Sequence, residues 1–142
     1  MKKKFFILIF SFLTIFFFGF NVDKAEAATH SWQSIPGAGS TCEVRAWTDY
    51  LSYTSSANTV DFYLESRGNC GTLEYSGAPY VILGGNYIVG TLETGSFSFR
   101  TPVKQSTLST INVRPISGAL IVSLSKNGTV IGTYQSDRIE FP

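Results

Sequence analysis

The sequence holds one histidine, His30, and that scarcity removes several chemistries at once. A Ser-His-Asp triad needs a histidine inside the fold, and this one falls early in the chain, ahead of the strand pattern. An ordinary zinc or haem site has no second imidazole to draw on. Two cysteines, Cys42 and Cys70, are all there are. They make no C-x-x-C redox motif and no zinc-ligand spacing. A basic excess is also missing, and with it the electrostatic footprint of a nucleic-acid partner. No window keeps apolar residues at i, i+3, i+4 and i+7, so no amphipathic helix is expected. After residue 20 no second long apolar run follows, so the mature chain should not span a membrane. No sortase-type tail is visible, so retention at a cell surface would be non-covalent. No cofactor and no metal are expected.

What the chain does have begins with an address. Lys2, Lys3 and Lys4 precede an apolar run from Phe5 to Phe20 that is broken only by Ser11, Thr14 and Gly19. Ala25-Glu26-Ala27 then offers small residues at the two positions a signal peptidase reads. This pattern predicts a secretory signal peptide over residues 1–27, and a secreted, extracellular protein. A membrane anchor is the other reading, because the run approaches the ~20 residues a span requires. The leader's wealth of Lys and Phe points to a low-GC Gram-positive bacterium. Removing it takes away four lysines, Asp23 and Glu26, which leaves seven basic and eight acidic residues and a mature net charge of −1. It also takes eight of the twelve phenylalanines, the main source of the positive mean hydropathy.

The remaining length suits one domain. A segment over residues 28–40, partly disordered, should lead into a domain over residues 41–142. In an exported protein an even pair of cysteines reads as a disulfide, here Cys42–Cys70. The chain-entropy model gives such a bridge roughly 3–4 kcal/mol.

Short alternating runs rich in Val, Ile, Thr and aromatics alternate with Gly, Asn, Ser and Pro. They predict strands near 42–50, 59–66, 72–75, 80–83, 86–93, 96–101, 110–114, 119–125, 129–135 and 138–141. Such spacing means an all-β, single antiparallel β-sandwich, with an immunoglobulin-like or jelly-roll order. Leu83-Gly84-Gly85-Asn86 reads as a tight hairpin. Lys126-Asn127-Gly128 reads as another. A three-residue turn pairing Leu124 with Val130 and Leu120 with Tyr134 is preferred there, because it gathers the apolar residues on one face. Asn127-Gly128-Thr129 matches a glycosylation sequon but is read as a turn. Residues 101–109 read as a surface loop.

Trp47 stands on the charged side of its strand. Val44, Ala46 and Thr48 form one face, and Glu43, Arg45, Trp47 and Asp49 the other. In the next strand Val60, Phe62 and Leu64 oppose Asp61, Tyr63, Glu65 and Arg67. Of three adjacent registers that keep like faces together, one opposes Arg45 to Arg67, one opposes Glu43 to Glu65, and the third avoids both. The third sets Glu43 against Arg67, Arg45 against Glu65 and Trp47 against Tyr63, each pair contributing roughly 0.2–1 kcal/mol. Its weak point is Asp49 opposite Asp61. With Tyr50 and Tyr53 near the loop tip, this predicts a flat aromatic platform edged with hydrogen-bonding groups, suited to a sugar ring. The alternative is that the Trp47–Tyr63 pair is covered and purely structural. The predicted ligand-binding residues are Trp47, Tyr63, Tyr50, Tyr53, Arg45 and Glu65.

Two metal readings stand beside structural ones. Cleavage after Ala27 would create an Ala28-Thr29-His30 terminus able to wrap Cu(II) or Ni(II) in a square plane. The plain reading is a solvated terminal histidine. Asp49 and Asp61 could hold Ca²⁺, or share a proton. No pair among Asp49, Asp61, Glu65, Glu74 and Glu93 carries a glycosidase motif, and no enzyme activity is expected. Three functions remain open. The first is a non-enzymatic binding module for polysaccharide, cell wall or surface, its partner a glycan or a protein. The second is a secreted effector, a hydrolase inhibitor or antibacterial toxin, using 51–58 or 67–71. The third is a structural matrix or coat component that associates through an edge strand such as 138–141.

Overall fold

The computed structural model describes residues 26–142. The expected leader lies outside the described residues except for its last two. The described chain is all-β: strands and connecting turns, without a helix. In chain order the strands are β1 (Ala28–Thr29), β2 (Gln33–Ser34), β3 (Glu43–Thr48), β4 (Thr59–Arg67), β5 (Leu73–Leu83) and β6 (Asn86–Val89). Then follow β7 (Glu93–Phe97), β8 (Lys104–Thr107), β9 (Ile116–Lys126), β10 (Thr129–Gln135) and β11 (Ile139–Phe141). They make two antiparallel sheets. One has the order β3-β4-β8, with β1 and β2 both on the free side of β3. The other has the order β10-β9-β5-β6, with β11 also on β9 and β7 also on β5.

Period-two alternation builds the core. β3 buries Val44, Ala46 and Thr48, and β4 buries Val60, Phe62, Leu64 and Ser66. From the second sheet come Leu73, Tyr75 and Val81 of β5 and Leu120, Val122 and Leu124 of β9. The apolar members of both sets belong to one cluster, as expected of two sheets packed face to face. Cys42 and Cys70 form the predicted disulfide, with Cα atoms 4.6 Å apart. Beside it Lys126 Nζ donates to the carbonyls of Ala38 and Cys70, 2.9 Å each, tying the end of β9 to this corner.

The β3–β4 register is the one the charges select: Glu43 faces Arg67, Arg45 faces Glu65 and Trp47 faces Tyr63. The Gly84-Gly85 hairpin closes with Leu83 opposite Asn86 and both glycines at positive φ.

Other elements differ from expectation, each for a local reason. Residues 28–40 are not a loose lead-in. Ala28 and Thr29 pair with Thr48 and Trp47, Gln33 and Ser34 pair with Val44 and Glu43, and Ile35 is buried. Two-residue strands are too short to show alternation, so only the open edge of β3 reveals them. The 126–129 hairpin has a two-residue turn, not three. Asn127 and Gly128 sit at φ 52° and 75°, as a type I′ turn requires, and Val130 faces Ser125. A bulge between Val130 and Gly132 then shifts the register, so Tyr134 faces Val122 on the core side while Val130 is left exposed. β5 runs through Pro79, which falls between the stretch paired with β7 and the stretch paired with β6, where no ladder donor is needed. β8 lies inside the expected loop 101–109. Its only fully buried side chain is Ser106, whose hydroxyl donates to the Thr91 carbonyl, so no apolar pattern announced it. Residues 110–114 form no strand. Leu108 and Ile111 are both buried and close a turn, Ile111 N–H donating to the Leu108 carbonyl.

Candidate functional site

The outward side chains of β3 and β4 are held by their cross-strand partners. Arg45 Nε donates to Glu65 Oε2 at 2.7 Å, and Arg67 Nε pairs with Glu43. Glu65 also meets Arg100, at 3.6 Å, where Arg100 bridges to β4 from the side away from β3. Trp47 and Tyr63 stack with ring centroids 5.0 Å apart and planes 10° from parallel. That separation equals about one strand spacing of ~4.8 Å, so the rings stand on edge, face against face. The Arg100 guanidinium lies 3.8 Å from the Tyr63 centroid. Approaching from the far side of β4, it covers the Tyr63 face that Trp47 leaves free. Trp32, between β1 and β2, completes the array. The guanidiniums of Arg45 and Arg67 lie 4.4 and 4.3 Å from its ring centroid.

The result is an upright Trp47–Tyr63 stack capped by Arg100, with Trp32 held by Arg45 and Arg67, rather than the flat platform expected. Trp32, Trp47, Tyr63, Arg45 and Glu65 are all half-buried, and among the described residues no other sheet covers this face. Each cation–π contact contributes about 0.5–1 kcal/mol at such exposure, and together they fix the rings in place.

Of the predicted binding residues, Trp47, Tyr63, Arg45 and Glu65 come together here. Tyr50 is 37% exposed, and its ring meets Tyr53 edge-on. Tyr53 is not a surface residue. It is 2% exposed, stacks on Phe141 at 5.6 Å, and donates its hydroxyl to Asp49. The cause is the loop after Tyr50, which pairs with β11. Tyr53 N–H donates to the Glu140 carbonyl, and Glu140 N–H to the Leu51 carbonyl. That turns Tyr53 inward. The same pairing covers the free side of β11, so residues 138–141 are not the open edge expected.

Asp49 and Asp61 do lie across from each other, and both carboxylates are engaged. Asp49 Oδ1 accepts from the Tyr53 hydroxyl and from Asp61 N–H at 3.1 Å, and Asp61 Oδ1 accepts from Gln105 Nε2 at 3.0 Å. Burial raises the Asp49 carboxyl above its ordinary range, against the pull of those hydrogen bonds. Among the described residues no group of three or more His, Cys, Asp or Glu is placed to hold a metal.

His30 is neither solvated nor free to wrap a copper or nickel ion. It is 3% exposed, its Nε2 lies 2.9 Å from Thr48 Oγ1, and its backbone N–H donates to the Ala46 carbonyl. Nδ1 faces Asp137 Oδ2 at 3.5 Å, too long for a hydrogen bond. Burial therefore dominates and lowers the imidazole pKa, although Asp137 pulls the other way.

The residues that sequence reasoning missed are Trp32 and Arg100. A lone aromatic in the polar run Ser31-Trp32-Gln33-Ser34 was a faint signal for the first. Nothing local marked the second, which reaches β4 only through the fold.

No solved structure matches the chain significantly. The cell wall-binding protein YqgA of Bacillus subtilis (strain 168) is 43% identical over 83 residues, 58% of this chain and 57% of that protein. The chain thus matches a little over half the length of this relative. The YqgA MG2 macroglobulin domain model matches residues 25–141, nearly all of the described chain, and the protein belongs to that family.

Proposed function

We propose that this chain is a secreted bacterial cell-wall-binding module whose ligand, a wall glycan, meets the outer face of β3 and β4. The carrying observation is the array of Trp32, Trp47 and Tyr63 locked by Arg45, Arg67 and Arg100 on a face that no sheet covers among the described residues. Rings held in advance lose little side-chain entropy on binding, and preorganisation of this kind favours affinity. Ring edges and the outer flank of Trp47 would meet sugar C–H groups, while guanidinium and carboxylate groups would take hydroxyls. The wall-binding name of the relative supports the same reading. The leader pattern supports export, and retention would be non-covalent. The module acts as a binder rather than a catalyst.

The test is cosedimentation of the mature protein with purified cell walls. Trp47→Ala and Trp32→Ala should each weaken retention roughly 30-fold, the about 2 kcal/mol of a hot-spot truncation. Thermal unfolding serves as the check that the fold survives. Undiminished retention of both folded variants would refute the assignment of this face.

A second reading, association as a structural component, draws on one feature. β6 ends its sheet, and its own Tyr87 and Val89 and the neighbouring Ile82 of β5 are 67%, 42% and 50% exposed. Edge strands are commonly protected by charge or proline, and β6 has neither. Tyr87→Lys should then abolish any concentration-dependent association seen by sedimentation velocity. A wild-type protein that stays monomeric at millimolar concentration would rule the reading out.

A further inference from the structure

Beyond the start of β4 and the end of β8 the surface opens into a cleft of about 590 Å³, bounded by the turns at 55–59 and 107–114. Its size falls within the range of small-molecule sites, roughly 300–1,000 Å³. Leu108 and Ile111, both buried, supply an apolar floor. Asn58, Asn112, Ser55 and Ser109 supply amide and hydroxyl groups around it. The walls are tied together: Leu108 N–H donates to the Asn58 carbonyl at 2.7 Å, and Thr59 pairs with Thr107.

Arg114 is the only charged residue of the lining. Arg45, Arg67, Arg100 and Arg138 each pair with a glutamate, whereas Arg114 has no carboxylate partner among the described residues. Its guanidinium donates to the backbone carbonyls of Thr54 and, at 2.9 Å, Ala57. Neutral acceptors orient the group without cancelling its charge. A guanidinium has five N–H donors, so further donors remain in a geometry that matches an oxyanion.

We infer that this cleft is a second ligand site, and that it takes a sugar or polyol unit carrying one oxyanion, a carboxylate or a phosphate. Arg114 receives the oxyanion, the amide and hydroxyl groups take the hydroxyls, and the apolar floor takes the carbon skeleton. Thr59 lies on the same face of β4 as Tyr63, four residues along, or about 13 Å. One polymer laid along β4 therefore reaches both sites. That continuity rests on the wall-binding reading, whereas the cleft assignment rests on its own lining.

The experiment is an amide ¹H–¹⁵N titration of the mature protein with glucuronate, glycerol 3-phosphate and glucose in parallel. Saturable shifts confined to residues 55–59 and 107–114, with either acid and not with glucose, are expected. The acid that acts identifies the oxyanion. Arg114→Gln should abolish the shifts. Ser109→Trp, which blocks the cleft and breaks no hydrogen bond of the turns, should abolish them too and guards against a loosened 54–57 turn. Equal shifts with glucose, no shifts at the cleft, or unchanged binding by Ser109→Trp would overturn the inference. Wall cosedimentation is scored separately. A cleft that binds acid in a protein that walls do not retain would sink the wall reading and leave the cleft site standing.

Discussion

His30 shows how a single side chain makes stability depend on pH. Burial lowers its folded-state pKa below the ordinary 6.5. The unfolded chain therefore binds the proton more readily, and stability rises with pH in that interval. The stabilisation is present above about pH 6.5 and is lost as pH falls toward the lowered folded value. Urea unfolding of the wild type should show this loss between pH 7 and 5. His30→Gln should flatten it, and an unchanged slope would mean that another group is responsible. Tyr53 makes a second prediction at this scale. Tyr53→Phe removes the hydroxyl that donates to the Asp49 carboxylate, a charge-assisted bond worth about 1.5–3 kcal/mol. The variant should unfold at correspondingly lower urea while retaining wall binding, because its ring packs on Phe141 in the core and not on the outer face.

At the scale of elements, the β9–β10 hairpin turns on Asn127 and Gly128. Gly128 sits at φ 75°, where a side chain costs about 1–2 kcal/mol. Nothing lies within 4 Å of a Cβ built there, so the cost of Gly128→Ala is conformational alone. The unfolding free energy should fall by that amount, seen as a lower denaturant midpoint with m unchanged. The Cys42–Cys70 bridge fastens the start of β3 to the chain just beyond β4, the two strands that carry the proposed binding face. Its loss should cost roughly 3–4 kcal/mol. In Cys42→Ala/Cys70→Ala, measured under conditions where the protein remains folded, wall retention should drop less than in Trp47→Ala. The β3–β4 ladder and the Lys126 contacts still hold the array in register.

Across the whole molecule, the two sheets divide the work. Their inner faces share one apolar core, while the outer face of the β3–β4 sheet carries the aromatic–arginine array and ends in the Arg114 cleft. The N-terminal segment belongs to this division rather than preceding it. β1 and β2 cover the free edge of β3 and deliver Trp32 to its two guanidiniums. Deleting residues 28–34 should therefore remove wall binding as well as stability. Cosedimentation of the truncated chain, compared with Trp32→Ala, separates the part that is simply the lost ring.

The amino-acid sequence by itself determined the all-β class, the disulfide and the β3–β4 register. Alternation, cysteine count and opposed charges are local or pairwise properties that need no third element. Trp47, Tyr63, Arg45 and Glu65 were legible as one group for the same reason. The tertiary structure alone decided that Tyr53 turns inward, because β11 captures the loop that carries it. It alone brought Trp32 and Arg100 to the array, one from each side of the β3–β4 pair. The bulge that returns Tyr134 to the core, the burial of His30 and the setting of Arg114 against backbone carbonyls also depend on partners distant in the chain, and no periodicity in the sequence records those.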